Sequence, residues 1–179
     1  LSGYNYLPRI YDSPAREIAL FTARQVGKST SLASLLVQQA VRTPGSSQVC
    51  VTPLQDQAYV FSTSRLRDFL HESPLVHRLY FQGAGVIDQM LRKQLNNGSL
   101  ISLGYAQRTA DRLRGRSIRG KGSYLVFDEF QDILPEVIPV VREMGFRAEA
   151  PRYLMAGTPK SFSNHMEKTR RKSTGCEWA

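Results

Sequence analysis

Cysteine is nearly absent: Cys50 and Cys176 are the only two. Two thiols so far apart offer neither a disulfide framework nor zinc-ligand spacing, and they suit a reducing compartment. Cys50 sits in an apolar stretch and reads as a buried free thiol. The three histidines, His71, His77 and His165, are scattered and read as surface or helix-packing residues. No apolar run approaches the ~20 residues a membrane helix requires, and no secretory pattern opens the chain. Carboxylates are also short in number. Fifteen Asp+Glu face 24 Lys+Arg, a formal charge of +9.

That excess is uneven. Residues 1–90 hold 8 basic and 6 acidic side chains, whereas residues 91–179 hold 16 and 9. Two clusters dominate: Arg108, Arg112, Arg114, Arg116, Arg119 and Lys121, then Lys168, Arg170, Arg171 and Lys172. Such a balance favours a polyanionic partner through counterion release. A solubilising surface is the plainer reading, above all for the second cluster.

The most informative segment is Thr22-Ala23-Arg24-Gln25-Val26-Gly27-Lys28-Ser29-Thr30. Gly-Lys-Ser is the core of a phosphate-binding loop (Walker A), which points backbone N–H groups at nucleotide phosphates. The lysine reaches the β- and γ-phosphates and the hydroxyl ligates Mg²⁺. The flanks fit a strand, then a helix. Thr22 departs from the full pattern, which has glycine there, and Arg24 adds a cation to the loop. A second segment, Tyr124-Leu125-Val126-Phe127-Asp128-Glu129, reads as a buried strand ending in two carboxylates (Walker B). Asp128 would hold Mg²⁺, and Glu129 would orient an attacking water. The bland alternative is a strand ending in a surface acidic pair, which the loop about one hundred residues upstream makes a poor account. A third segment, Tyr153-Leu154-Met155-Ala156-Gly157-Thr158-Pro159, is an apolar strand ending in a hydroxyl. Thr158 could sense the γ-phosphate, or the segment could be a plain Gly/Pro turn.

Periodicity and punctuation give the remaining elements. Strands are expected at Ile18–Phe21, Gln48–Thr52, Leu100–Tyr105, Leu125–Asp128 and Tyr153–Ala156, with a β-type stretch near Val86–Leu91. Helices are expected at Lys28–Arg42, Asp56–Glu72 and around Pro135–Met144. Asn96-Asn97-Gly98 signals a tight turn, and Arg108–Gly122 a Gly/Arg-rich loop. Strands alternating with helices imply an α/β fold with a mainly parallel sheet, its ligand at the carboxyl ends of the strands.

Taken together, these motifs resemble the ATPase domain of large terminase subunits, the DNA-packaging motors of tailed phages. The resemblance rests on Arg24-Gln25 ahead of Gly27-Lys28-Ser29-Thr30, Val51-Thr52-Pro53 followed by Gln57-Ala58, Leu113-Arg114-Gly115-Arg116-Ser117, Phe127-Asp128-Glu129-Phe130-Gln131-Asp132-Ile133, and Ala156-Gly157-Thr158-Pro159. It covers about residue 16 to about residue 165. It implies a P-loop NTPase three-layer sandwich of the additional-strand, catalytic-glutamate type. It also implies ATP and Mg²⁺ as cofactors, with residues 24–30 on the phosphates, Ser29 and Asp128 on the metal, Glu129 as the hydrolytic residue and Thr158 as the coupling residue. The implied partners are double-stranded DNA, a homo-oligomeric ring, by resemblance a pentamer, the portal protein and the small terminase subunit. The implied location is the host cytoplasm, transiently at the procapsid portal.

Two arginines compete as the finger on the developing phosphate charge: Arg24 in cis, and Arg114 (with Arg119 second) in trans from a neighbouring subunit. A loop-fixing salt bridge is the plain alternative for Arg24, and DNA contact or a solvated face for Arg114. The adenine-contacting glutamine of terminases has no counterpart ahead of Walker A; Tyr6, Arg9 and Tyr11 are the residues available. The family's nuclease domain is also missing, so the chain, residues 1–179, is expected to be the ATPase part of a longer protein, without nuclease activity. A P-loop helicase or translocase core acting on nucleic acid outside packaging is the alternative function.

Overall fold

The computed structural model describes residues 7–106, 113, 116–160 and 165–172. Its frame is a seven-stranded sheet in the order β1-β7-β6-β2-β5-β4-β3. The strands are β1 (Glu17–Phe21), β2 (Ser47–Thr52), β3 (Ile87–Gln89), β4 (Arg92–Gln94), β5 (Leu100–Tyr105), β6 (Tyr124–Phe127) and β7 (Arg152–Gly157). β1, β7, β6, β2 and β5 run parallel, whereas β4 and β3 fold back antiparallel.

Side-chain alternation divides the core in two. Cys50, Val126, Leu154 and Ala156 face one layer, packed under α2 (Lys28–Arg42) and the helical run from α3 (Gln55–Val60) to α4 (Arg67–Leu70). Val49, Val51, Leu125, Phe127 and Met155 face the other, under α6 (Val137–Arg142) and α7 (His165–Lys172). A sheet that is apolar on both faces must be covered on both, and three layers result. Two short helices complete the set: α1 (Leu7–Asp12), and α5 (Pro74–Tyr80) with proline in its first turn.

The departures from expectation are local. The span read as one helix, 56–72, contains a π-helical stretch at Phe61–Leu66 between α3 and α4. The β-type stretch around 86–91 is a hairpin, with Met90 and Leu91 as its two-residue turn between β3 and β4. Gly98, at φ 80°, closes the next turn into β5 as Asn96-Asn97-Gly98 suggests. Cys50 is buried and free. No helix among the described residues is long and apolar enough to cross a membrane.

Candidate functional site: the mouth of the parallel sheet

Register fixes the site before any side chain is considered. Phe21 of β1 lies opposite Gly157 of β7, and Phe127 of β6 lies opposite Met155. Glu129, two residues past Phe127, therefore comes level with Gly157. β7 separates β1 from β6 at this edge, so their ends stand two strand spacings apart, about 10 Å. A cavity of about 490 Å³ opens there, lined by Arg24, Gln25, Gly27, Lys28, Ser29, Thr30, Gln57, Arg65, Glu129, Gln131, Asp132, Thr158 and Lys160.

The loop between β1 and α2 turns through left-handed backbone at Gln25 (φ 61°) and Gly27 (φ 79°), not at residue 22. Thr22 is thus tolerated where the full pattern has glycine, because its position makes no demand that a side chain opposes. Gly27 caps α2, and its carbonyl accepts from the Ser31 amide at 2.9 Å and the Ser31 hydroxyl at 2.8 Å. The N-terminus of this 15-residue helix, which has no side-chain cap, thus faces the cavity with its first N–H groups and a positive dipole end, the standard setting for an anion.

Lys28 is only 7% exposed. Its ammonium donates to the Ala23 carbonyl at 2.6 Å, the Thr158 hydroxyl at 3.1 Å and the Thr22 carbonyl at 3.4 Å. Burial lowers its pKa; Glu129 and Asp128 oppose that shift, and Arg24 adds to it. Arg24 is exposed at the mouth, and among the described residues it forms no ion pair. The loop-fixing salt bridge is therefore not the arrangement seen. Val26 belongs to the loop but does not line the cavity.

Asp128 is 7% exposed. Burial pushes its carboxyl up to about 6; a hydrogen bond from Ser29 works against the shift and the adjacent Glu129 adds to it. A desolvated carboxylate beside a serine hydroxyl, with no cationic side chain bonded to it, fits a divalent cation. Such an ion would be held by the Asp128 carboxylate, the Ser29 hydroxyl and the ligand's own phosphates. Glu129 follows in left-handed backbone (φ 50°, ψ 46°). For a non-glycine residue that conformation is strained, and strain of this kind gathers at functional sites.

Five cavity residues, Gln57, Arg65, Gln131, Asp132 and Lys160, had no site role in the sequence reading. Gln131 touches Glu129 and the Thr158 amide. Lys160 pairs with Asp132 at 2.7 Å. Arg65 comes from the π-helical stretch, in a span read as a packing helix. The sequence signals were slight: a polar residue two past Glu129, and one cation among the many polar residues of the 56–72 span.

Other expected residues lie elsewhere. Arg114, with Arg108 and Arg112, falls outside the described residues, as do Tyr6 and Cys176. Arg119 bridges Ser47 at the start of β2, the opposite end of the sheet, so it cannot reach the cavity of its own chain. Arg116 donates to the Leu103 carbonyl. Neither Arg9 nor Tyr11 lines the cavity; Tyr11 packs against the core near Tyr124, at the wrong end of the strands. A cleft of about 580 Å³ at that far end, lined in part by Arg92, Arg116 and Arg119, holds none of the phosphate-loop or carboxylate motifs. On α7, Arg170 and Arg171 both pair with Glu167, at 2.6 and 3.1 Å, holding its carboxyl down to about 2, while Lys168 and Lys172 are exposed.

Residues 7–178 match the family described as phage terminase large subunit gpA, ATPase domain. The chain belongs to that family. Solved terminases share its fold. The large terminase ATPase domain of Thermus phage P74-26 superposes with a TM-score of 0.57 at 21% identity, over 87% of this chain and 64% of that one. The HK97 bacteriophage large terminase gives 0.63 at 12% identity, over 92% of this chain and 34% of that one. The terminase domain here thus spans about a third of the HK97 protein and just under two thirds of the Thermus phage domain. No curated protein sequence matches it.

Proposed function

We propose that the chain is the MgATP-hydrolysing motor domain that drives double-stranded viral DNA into a procapsid. One observation carries the reading: Lys28, Ser29, Asp128, Glu129 and Thr158 converge where β7 holds β1 and β6 apart. N–H groups of residues 24–29 and the start of α2 cradle the phosphates. Lys28 exchanges its carbonyl partners for phosphate oxygens, and Arg24 adds charge from the mouth. Ser29 and Asp128 would hold Mg²⁺, which when bound screens the phosphate oxygens and orients them. Glu129 orients a water for in-line attack on the γ-phosphorus. The new P–O bond forms as the bond to the β-phosphate bridging oxygen breaks; the water proton leaves toward Glu129, and ADP departs. Thr158 loses or regains its contact with Lys28 as the γ-phosphate comes and goes.

In this reading subunits form a ring, by resemblance a pentamer, on the portal protein, supplied with DNA by the small terminase subunit in the host cytoplasm. Lys168 and Lys172, with Arg170 and Arg171, are the proposed DNA-facing cations. Arg114 of a neighbouring subunit and Arg24 of the same one remain rival fingers. Steady-state ATP hydrolysis against protein concentration, with and without double-stranded DNA, tests the proposal. A per-subunit rate that climbs with concentration and collapses in Glu129→Ala supports a ring with a finger in trans. A concentration-independent rate that still needs Glu129 favours Arg24. Turnover untouched by Glu129→Ala refutes the assignment of the site.

A further inference from the structure

We propose that Gln131 is the positioning residue for Glu129, and that it ties the carboxylate to the end of β7. The inference rests on the reading of Glu129 as the water-orienting group.

Gln131 is 9% exposed, and its side-chain amide is used at both ends. Its Oε1 accepts from the Thr158 backbone N–H at 2.9 Å. That partner can only donate, so the orientation of the amide is decided by chemistry: oxygen toward Thr158, NH₂ toward the acceptors. The NH₂ then donates to Glu129 Oε2 at 2.5 Å and to Asp132 Oδ2 at 3.2 Å. Glu129 needs such a holder. It is only partly buried, and its backbone has already left the strand for the left-handed region, so β6 alone does not fix where the carboxylate points.

The space for this contact is provided by Gly157. A Cβ there would lie 2.4 Å from Gln131 Oε1 and 3.4 Å from the Gln131 backbone nitrogen. Gly157 is not among the residues with positive φ, so close approach is the reason for glycine. Thr158 also accepts from Lys28 through its hydroxyl at 3.1 Å. Three hydrogen bonds therefore run from Lys28 through Thr158 and Gln131 to Glu129, crossing from the phosphate loop to β6 by way of β7. A phosphate that draws the Lys28 ammonium away from Thr158 relaxes the strand end on which Gln131 hangs, and Gln131 passes that change to the carboxylate.

The test is steady-state MgATP kinetics of the protein with double-stranded DNA, alongside MgADP affinity, for Gln131→Met, Gln131→Glu and Glu129→Ala. Gln131→Met fills similar volume and loses all three side-chain bonds. Gln131→Glu keeps the acceptor for Thr158 and loses the donor to Glu129. Both are expected to lower kcat roughly 10- to 100-fold, the loss usual when the partner of a working side chain is removed, with KM and MgADP affinity unchanged. Glu129→Ala is read by single-turnover hydrolysis, where its slow residual rate is measurable, and Gln131→Met should lower that rate no further, because it acts through that carboxylate. Wild-type kcat in both Gln131 variants beside a strongly slowed Glu129→Ala overturns the positioning role and leaves the site assignment standing. A loss as large in the Glu129→Ala background overturns it too. Full turnover in Glu129→Ala removes the site reading and this inference together.

Discussion

Asp128 and Glu129 are adjacent carboxylates in opposite circumstances. Asp128 is buried, with its carboxyl raised to about 6, whereas Glu129 stands at the cavity mouth. A carboxyl raised above its ordinary value of 3.8 contributes stability that is full below that value and lost as pH rises through about 6. A cation that restores the loss at neutral pH meets a protonated, non-ligating group below it. The tightening of ADP binding by Mg²⁺ at pH 7.5 should therefore shrink markedly at pH 5.5; titration calorimetry giving the same increment at both would refute Asp128 as ligand. For Glu129→Gln, kcat should fall about 10²- to 10⁴-fold, the span of general-base contributions, with KM little moved. Arg65→Ala should weaken MgATP binding with little effect on the unfolding midpoint, since Arg65 is exposed at the cavity. Lys28, Ser29, Asp128, Glu129 and Thr158 were legible in sequence because each ends or follows an apolar strand at a fixed offset. Gln131 and Arg65 were not. Their contacts depend on which chain segments the fold brings to one edge, and no local pattern records that.

Among elements, the parallel strands and α2 were the most legible. Their apolar runs are long, and both sheet faces are covered, so hydrophobicity alone marks them. The π-helical insertion was invisible because a π turn keeps helical composition and changes only the phase of the stripe. The Met90-Leu91 turn was hidden for a similar reason. Two apolar residues read as strand, yet Met90 is exposed at the tip and Leu91 turns inward. α2 is the element on which the phosphate loop depends. Leu36, fully buried at its centre, should cost about 2–5 kcal/mol when cut to alanine, seen as a lower midpoint in urea at unchanged m-value. Gly157→Ala tests the end of β7: the Cβ forces Gln131 or the strand to move, so kcat should drop with β7 otherwise intact, read against far-UV circular dichroism.

At the scale of the molecule, the charge that composition presents as one excess is divided in space. The far-end cleft holds Arg92, Arg116 and Arg119, while α7 carries its own group beyond β7. Glu167 engages Arg170 and Arg171, whereas Lys168 and Lys172 are exposed cations of α7 in no ion pair among the described residues. Removing both lysines should weaken DNA stimulation of turnover without sequence preference, and reduce the salt slope by about 2. An unchanged slope would return α7 to the role of a solvated surface. α7 also reaches the site: His165 bonds the Phe130 carbonyl at 2.6 Å, one residue from Gln131.

The strand order has a kinetic consequence. β1 pairs with β7 alone and forms the rim of the described sheet, while β7 is gripped on both sides. The phosphate loop hangs from the rim and the carboxylates from the interior. Amide deuteration should therefore spread inward, with Ile18–Leu20 exchanging well before Leu154–Ala156 and a bound nucleotide closing that gap by slowing β1. The loop would then be able to peel and re-seat within a sheet that never opens.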